Sequence, residues 1–177
     1  MVTPFGTVVS VVGVETDELL ASLAPLRNVQ VMRLRDREAP AASAAIAAAH
    51  AIYVVHDADP LAHVASAWVE FFDDRATLGA LEAEVEQAVG QFERGDAVMP
   101  DYYLLPDPEG IEGTWRHWWL GVLTRAAPSR VLPTPPTAAA VRAALRRLPA
   151  SRPWPEPARW LPRLPYEVPD RLGLAAS

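Results

Sequence analysis

Short β-branched runs alternate along this chain with stretches in which apolar residues recur every three or four positions. Residues 6–14, GTVVSVVGV, form a first such run, bounded by turn residues, and predict a strand. Leu19, Leu23 and Leu26 then fall at helical spacing, behind Thr16 as a helix cap, with Pro25 near the helix end. Residues 29–34 alternate and predict a second strand, and residues 35–38 a charged turn. The alanine-rich stretch 41–50 favours helix and runs into a third strand at 51–55. Helices are predicted over 61–72 and 75–94. The second has the clearest period in the chain (Leu78, Leu81, Val85, Ala88, Val89, Phe92), with Gly95 as its C-terminal cap. A strand at 101–105, a helix over 115–124, a short last strand at 130–134 and a helix capped by Thr137 and ending at Leu148 complete the pattern. Pro133 marks that last strand as an edge or a strand end.

Five strand–helix alternations predict an α/β fold, a doubly wound three-layer sandwich around a mainly parallel sheet of about five strands. Residues 1–148 would form this domain. Residues 149–177 differ, with seven prolines among Trp154, Trp160, Leu161, Leu164 and Tyr166. Proline removes the amide donor that helices and sheets need, while a disordered linker would lack the large rings. The segment therefore reads as an extended arm packed on the body, its arginines 152, 159, 163 and 171 meeting acidic residues of the first 113 positions, with a homodimer as the expected assembly.

The net charge of −6 conceals an asymmetry: almost all acidic residues precede position 114, and most arginines follow it. The arginines are interleaved with prolines rather than clustered, which disfavours nucleic acid as the partner. Lysine and cysteine are both absent, which excludes a P-loop lysine, Schiff-base chemistry, thiolate metal sites and cysteine nucleophiles. No apolar run approaches the roughly 18 residues of a membrane span. The N-terminus lacks the basic and apolar regions of a signal peptide. A cytoplasmic location without membrane association is expected.

In open parallel sheets ligands bind outside the carboxyl ends of the strands. The third strand runs directly into His56, Asp57 and Asp59 before Pro60, so these side chains are candidates for such a crevice. They include metal-ligand types, yet carboxylates at a strand–helix turn also serve to accept backbone amides. His50, His63 and His117 add no ligand spacing, and no metal or cofactor is expected. The first strand is followed by neither a G-x-G-x-x-G nor a P-loop pattern, and Glu15 would repel a phosphate there. No G-x-S-x-G elbow is present. Glu82, Glu84 and Glu86 punctuate the most periodic helix, where carboxylates ordinarily form a solvated face.

The order of these elements, with ASAAIAAAHAIYVVHDAD (residues 42–59) entering the third strand and LGALEAEVEQA (residues 78–88) later, resembles the nucleoside 2-deoxyribosyltransferases. The resemblance implies a small doubly wound sheet, a third strand ending in an aspartate, and a helix start bearing G-T-x-x-E-x-G-x-A whose glutamate is the nucleophile. Glu84 and Ala88 match the E-x-x-x-A frame, and Asp57 or Asp59 matches the aspartate. Ala80 and Leu81 replace glycine and threonine, and Glu86 replaces the second glycine. On this resemblance the ligand is a nucleoside or nucleotide and the reaction N-glycosidic cleavage or transfer. Glu82 or Glu84 would attack the sugar, and Asp57 or Asp59 would protonate or orient the base. The competing reading is a non-catalytic assembly protein that oligomerises through its Trp/Arg/Pro-rich tail, tryptophan and arginine being favoured at interface hot spots.

Overall fold

The computed structural model describes residues 6–13, 16–111, 113–150 and 152–168. Five strands, β1 (Thr7–Val11), β2 (Val29–Met32), β3 (Tyr53–His56), β4 (Tyr102–Pro106) and β5 (Val131–Thr134), form one sheet in the order β2-β3-β1-β4-β5. Every pairing is parallel. Parallel strands need crossovers, and helices supply them on both faces. The result is the α/β three-layer sandwich expected from the pattern, with β1 at the centre and β3 an interior strand.

Alternation along the strands divides the core in two. Val9, Val11, Val55, Tyr102 and Leu104 point to one face and pack with residues of α1 (Asp17–Leu23) and α7 (Ala138–Leu145). Tyr103, Leu105 and Val131 point to the other. There they meet α3 (Ala62–Phe72), α4 (Leu78–Arg94) and a helical stretch of three pieces. These are α5 (Gly113–His117), a π-helical turn (Trp118–Leu123) and α6 (Thr124–Ala126). Helix α2 (Ala39–Ala47), also on this face, covers Val8 with Ile46.

Several local expectations shift. Thr16 does not cap α1 through its side chain. Its hydroxyl instead accepts a 2.6 Å hydrogen bond from the Arg35 guanidinium and so ties the end of the first strand–helix connection to the second. Helix α4 starts three residues later than predicted, because Thr77 supplies the cap by accepting from the Ala80 amide. Gly95 ends that helix in the left-handed region at φ 78°, as its residue type allows. The helix predicted over 115–124 widens to π geometry. The Thr124 hydroxyl bonds the Trp119 carbonyl five residues back, inside a turn that buries Trp118, Trp119, Val122 and Leu123.

The C-terminal segment, expected to be extended, folds into two helical turns, α8 (Pro157–Trp160) and a 3-10 helix (Leu161–Tyr166). Proline fits the first turn of a helix because its fixed φ suits the turn and its missing amide would go unused; Pro157 and Pro162 both hold that place. Leu161 and Leu164 are fully buried in the larger core. Trp154 donates to the Pro100 carbonyl at 2.8 Å. Arg159 pairs with Glu156 of its own segment rather than with the acidic first part of the chain. Arg171 lies outside the described residues. Among the described residues no helix is long and apolar enough to cross a membrane.

Candidate functional site

At the carboxyl end of the sheet, β1 leads toward α1 on one face, while its neighbours β3 and β4 lead to helices on the other. Chains that diverge in this way leave a crevice between them. The protein has a cleft of about 980 Å³ there. The β1 end contributes Val12 and Gly13, which turns the chain at φ 101°. The β3 end contributes His56 to Asp59, and the segment after β4 brings Ile111, Trp115 and Trp119.

Asp57 is buried. Its Oδ1 accepts from the backbone amides of Leu34 (2.6 Å) and Arg35 (3.0 Å), so it fastens the β2–α2 loop to the end of β3. A carboxylate that accepts two amides in this way has a structural task whether or not a ligand is present.

Asp59 is placed differently. Its Oδ1 accepts from the Leu61 amide at the start of α3 and from the Tyr103 hydroxyl, both at 2.9 Å. Among the described residues Oδ2 makes no hydrogen bond. Burial lifts its pKa from the ordinary carboxylate range to about 6, against the pull of the Leu61 amide, the Tyr103 hydroxyl and His63. Burial also holds the Tyr103 hydroxyl well above its usual range, and the neighbouring Asp59 charge adds to this. A carboxyl that changes charge near neutrality can donate or accept a proton under ordinary conditions.

His56 sits on the floor of the site, in register with Ser10 on one side and Met32 on the other, and is 1% exposed. Burial lowers its pKa to about 4 despite the adjacent Asp57 charge, so the ring is neutral at pH 7. The Ala58 carbonyl is near enough to favour the charged ring slightly. That carbonyl accepts from the Ser10 hydroxyl at 2.7 Å, however, and neither imidazole nitrogen meets a hydrogen-bond partner. Leaving a buried polar atom unsatisfied costs about 1–3 kcal/mol.

Of the four residues singled out from sequence as catalytic candidates, Asp57 and Asp59 both line the cleft. Glu82 and Glu84 do not. Helix α4 buries Leu81, Val85 and Ala88. At 3.6 residues per turn Glu82 lies on the flank away from the cleft. Glu84 shares a flank with Gln87 and Gln91 but falls one turn short. Those two glutamines are what α4 presents to the cleft. Glu86 is exposed and also lies outside it. Glutamines among glutamates on an otherwise acidic helix were the available sign. Nothing in the sequence marks Tyr103, because a tyrosine inside an apolar strand reads as core. Among the described residues no three metal-ligating side chains come together.

What the site can do chemically follows from these parts. It holds a neutral imidazole whose two nitrogens are buried and unpaired, one carboxyl oriented through a single oxygen, and carboxamides and indoles along its lining. No protein-family model, curated protein or solved structure matches the chain.

Proposed function

We propose that the cleft binds a small, uncharged polar ligand with a planar ring, of the nucleoside class. The observation that carries this reading is His56: a buried, neutral imidazole without a partner, on the floor of the cleft and beside the oriented Asp59. Buried polar groups are normally satisfied, and the exceptions call for a bound molecule or a functional task. The cleft volume falls within the range of about 300–1,000 Å³ usual for small-molecule sites. Trp115, 37% exposed, brings an aromatic ring to the lining of the site. The Gln87 and Gln91 carboxamides can both donate and accept, as base edges and sugar hydroxyls require.

Charge argues for a ligand without phosphate. Asp57 and Asp59 already occupy the amides at the end of β2 and the start of α3, where an anion would otherwise bind. The resemblance to deoxyribosyltransferases points to the same ligand class. Cleavage of a glycosidic bond would need a carboxylate at the sugar as well. Since neither Glu82 nor Glu84 lines the cleft, the reading is of binding, with Asp59 as the group able to pair with or protonate a base. Assembly through the tail has less support, because Leu161 and Leu164 already bury against their own chain.

Thermal denaturation of the full chain with millimolar adenosine, guanosine, cytidine, uridine or thymidine, and with the matching 5′-monophosphates, tests the reading. A ligand bound only by the native state at a hundred times its Kd adds about 2.7 kcal/mol, which raises Tm by several degrees. At least one nucleoside should do this, and its monophosphate should do so less. A flat response across the panel overturns the reading.

A further inference from the structure

Tyr103 joins the cleft to the C-terminal segment. Its ring is fully buried on β4, and its hydroxyl, the one polar atom of the side chain, is spent on Asp59. Two indoles hold that ring. Trp119, from the π-helical turn, lies 5.6 Å away between centroids and tilted by 57°. Trp154, from the C-terminal segment, meets it nearly edge-on at 5.8 Å and 84°. Trp154 is itself fixed by its bond to the Pro100 carbonyl and by stacking on Trp160 at 6.5 Å. We propose that Tyr103 and Trp154 are positioning residues for Asp59, so that the C-terminal segment, more than forty positions beyond β4, holds the carboxyl that faces the ligand.

The physical argument has two links. An aromatic ring held against two others in edge and tilted contacts has little freedom to swing as a whole, so its hydroxyl oxygen stays within reach of its acceptor. A carboxylate with one oxygen accepting two bonds then presents its other oxygen in a fixed direction, which is the preorganisation a binding site needs. The remaining titratable and charged groups of the cleft are His56 and Asp57 in the same turn, His63 on α3, and Arg35, Asp36, Arg37 and Glu38 in the β2–α2 loop. Of these only His63 pulls detectably on Asp59. The Leu61 amide favours the ionised form most, and the Tyr103 hydroxyl follows it, so among side chains the Tyr103 hydroxyl is the contact whose loss should show most clearly.

The role attributed to Asp59 rests on the ligand-binding reading, but the coupling can be measured without ligand. Carbon-detected NMR titration of the Asp59 carboxyl in the full chain reads it directly. Tyr103→Phe keeps the ring and removes the hydroxyl, so Asp59 should titrate about one pH unit higher than in the parent protein. Trp154→Ala frees one side of the Tyr103 ring and should move Asp59 in the same direction, whereas Trp154→Phe, which retains an aromatic edge, should leave it near the parent value. If Trp154→Ala fails to fold, Trp154→Leu is read in its place, since it fills the space without an edge. An unchanged Asp59 titration in Tyr103→Phe, or in the folded Trp154 variant lacking an edge, overturns the coupling. A nucleoside screen without a hit would overturn the ligand reading alone.

Discussion

The indole nitrogen of Trp68 donates to the backbone carbonyl of Leu164 at 3.1 Å, across 96 positions of sequence. Both partners are fully buried. The bond ties α3 to the last helical turn and makes the C-terminal segment part of the main core. Leu164→Ala should therefore behave as a core truncation and cost about 2–5 kcal/mol. Removal of everything beyond Pro149 would strip out Leu161 and Leu164 together and abolish cooperative unfolding. Denaturant melts followed by circular dichroism check both; a truncated chain with the parent midpoint would refute the assignment.

The two shifted groups of the cleft oppose one another in pH. Asp59 binds its proton more tightly when folded, up to about pH 6 against 3.8, so its contribution is present at low pH and is lost as pH rises through 6. His56 resists protonation when folded, down to about 4 against 6.5, so its contribution is present above 6.5 and is lost as pH falls through 4. Each shift corresponds to up to about 3 kcal/mol, and between pH 4 and 6 they largely cancel. Asp59→Asn removes one side of the balance. The variant should lose stability on acidification from pH 6.5 to 4 more steeply than the parent, and urea midpoints measured at intervals of pH would reveal it. Parallel curves would mean that Asp59 titrates normally.

Asp57 has its own test, separate from any ligand. Asp57→Ala leaves the Leu34 and Arg35 amides without their acceptor, at about 1–3 kcal/mol for each one that stays buried. Asp57→Asn keeps an acceptor oxygen and should recover much of the loss. Hydrogen exchange at the two amides is the specific readout: faster in the alanine variant, close to the parent in the asparagine variant.

Two glycines should respond in opposite directions to the same substitution. A Cβ on Gly6 would overlap the backbone carbonyls of Ala51 and Ile52, where the chain is tied to the start of β3 by the Thr7–Ile52 bond. Gly6→Ala should be strongly destabilising. Gly79, in the first turn of α4, has open space where a methyl would stand, with nothing within 4 Å. Gly79→Ala should stabilise by about 0.5–1 kcal/mol through helix propensity and a less flexible unfolded chain. Thermal melts of the pair decide the matter.

The strand–helix alternation was legible because each strand is a short apolar run, β-branched in all but β4, and the longest helix keeps its apolar period at Leu81, Val85 and Ala88. The end of β3 was legible for the same reason: apolar Val54 and Val55 give way at once to His56 and Asp57. Strand order was not, since periodicity within an element says nothing about its neighbours. The flank of Glu84 depends on where α4 starts and on its rotation against the sheet, and both are set by packing. Tyr103 and the tail's indoles look like ordinary core residues until tertiary contacts bring Asp59, Tyr103 and Trp154 into one line.

The strand order carries a consequence for how the chain assembles. β3 lies between β1 and β2, so these two strands, though consecutive along the chain, have no sheet partner in each other. Val31 and Val9 must wait until Val55 has been synthesised, since it pairs with both. The other side of β1 stays open until Tyr102 arrives. Non-local pairings of this kind fold slowly. The larger core closes only when Leu161 and Leu164 follow. Nascent chains stalled short of residue 164 should therefore remain protease-sensitive.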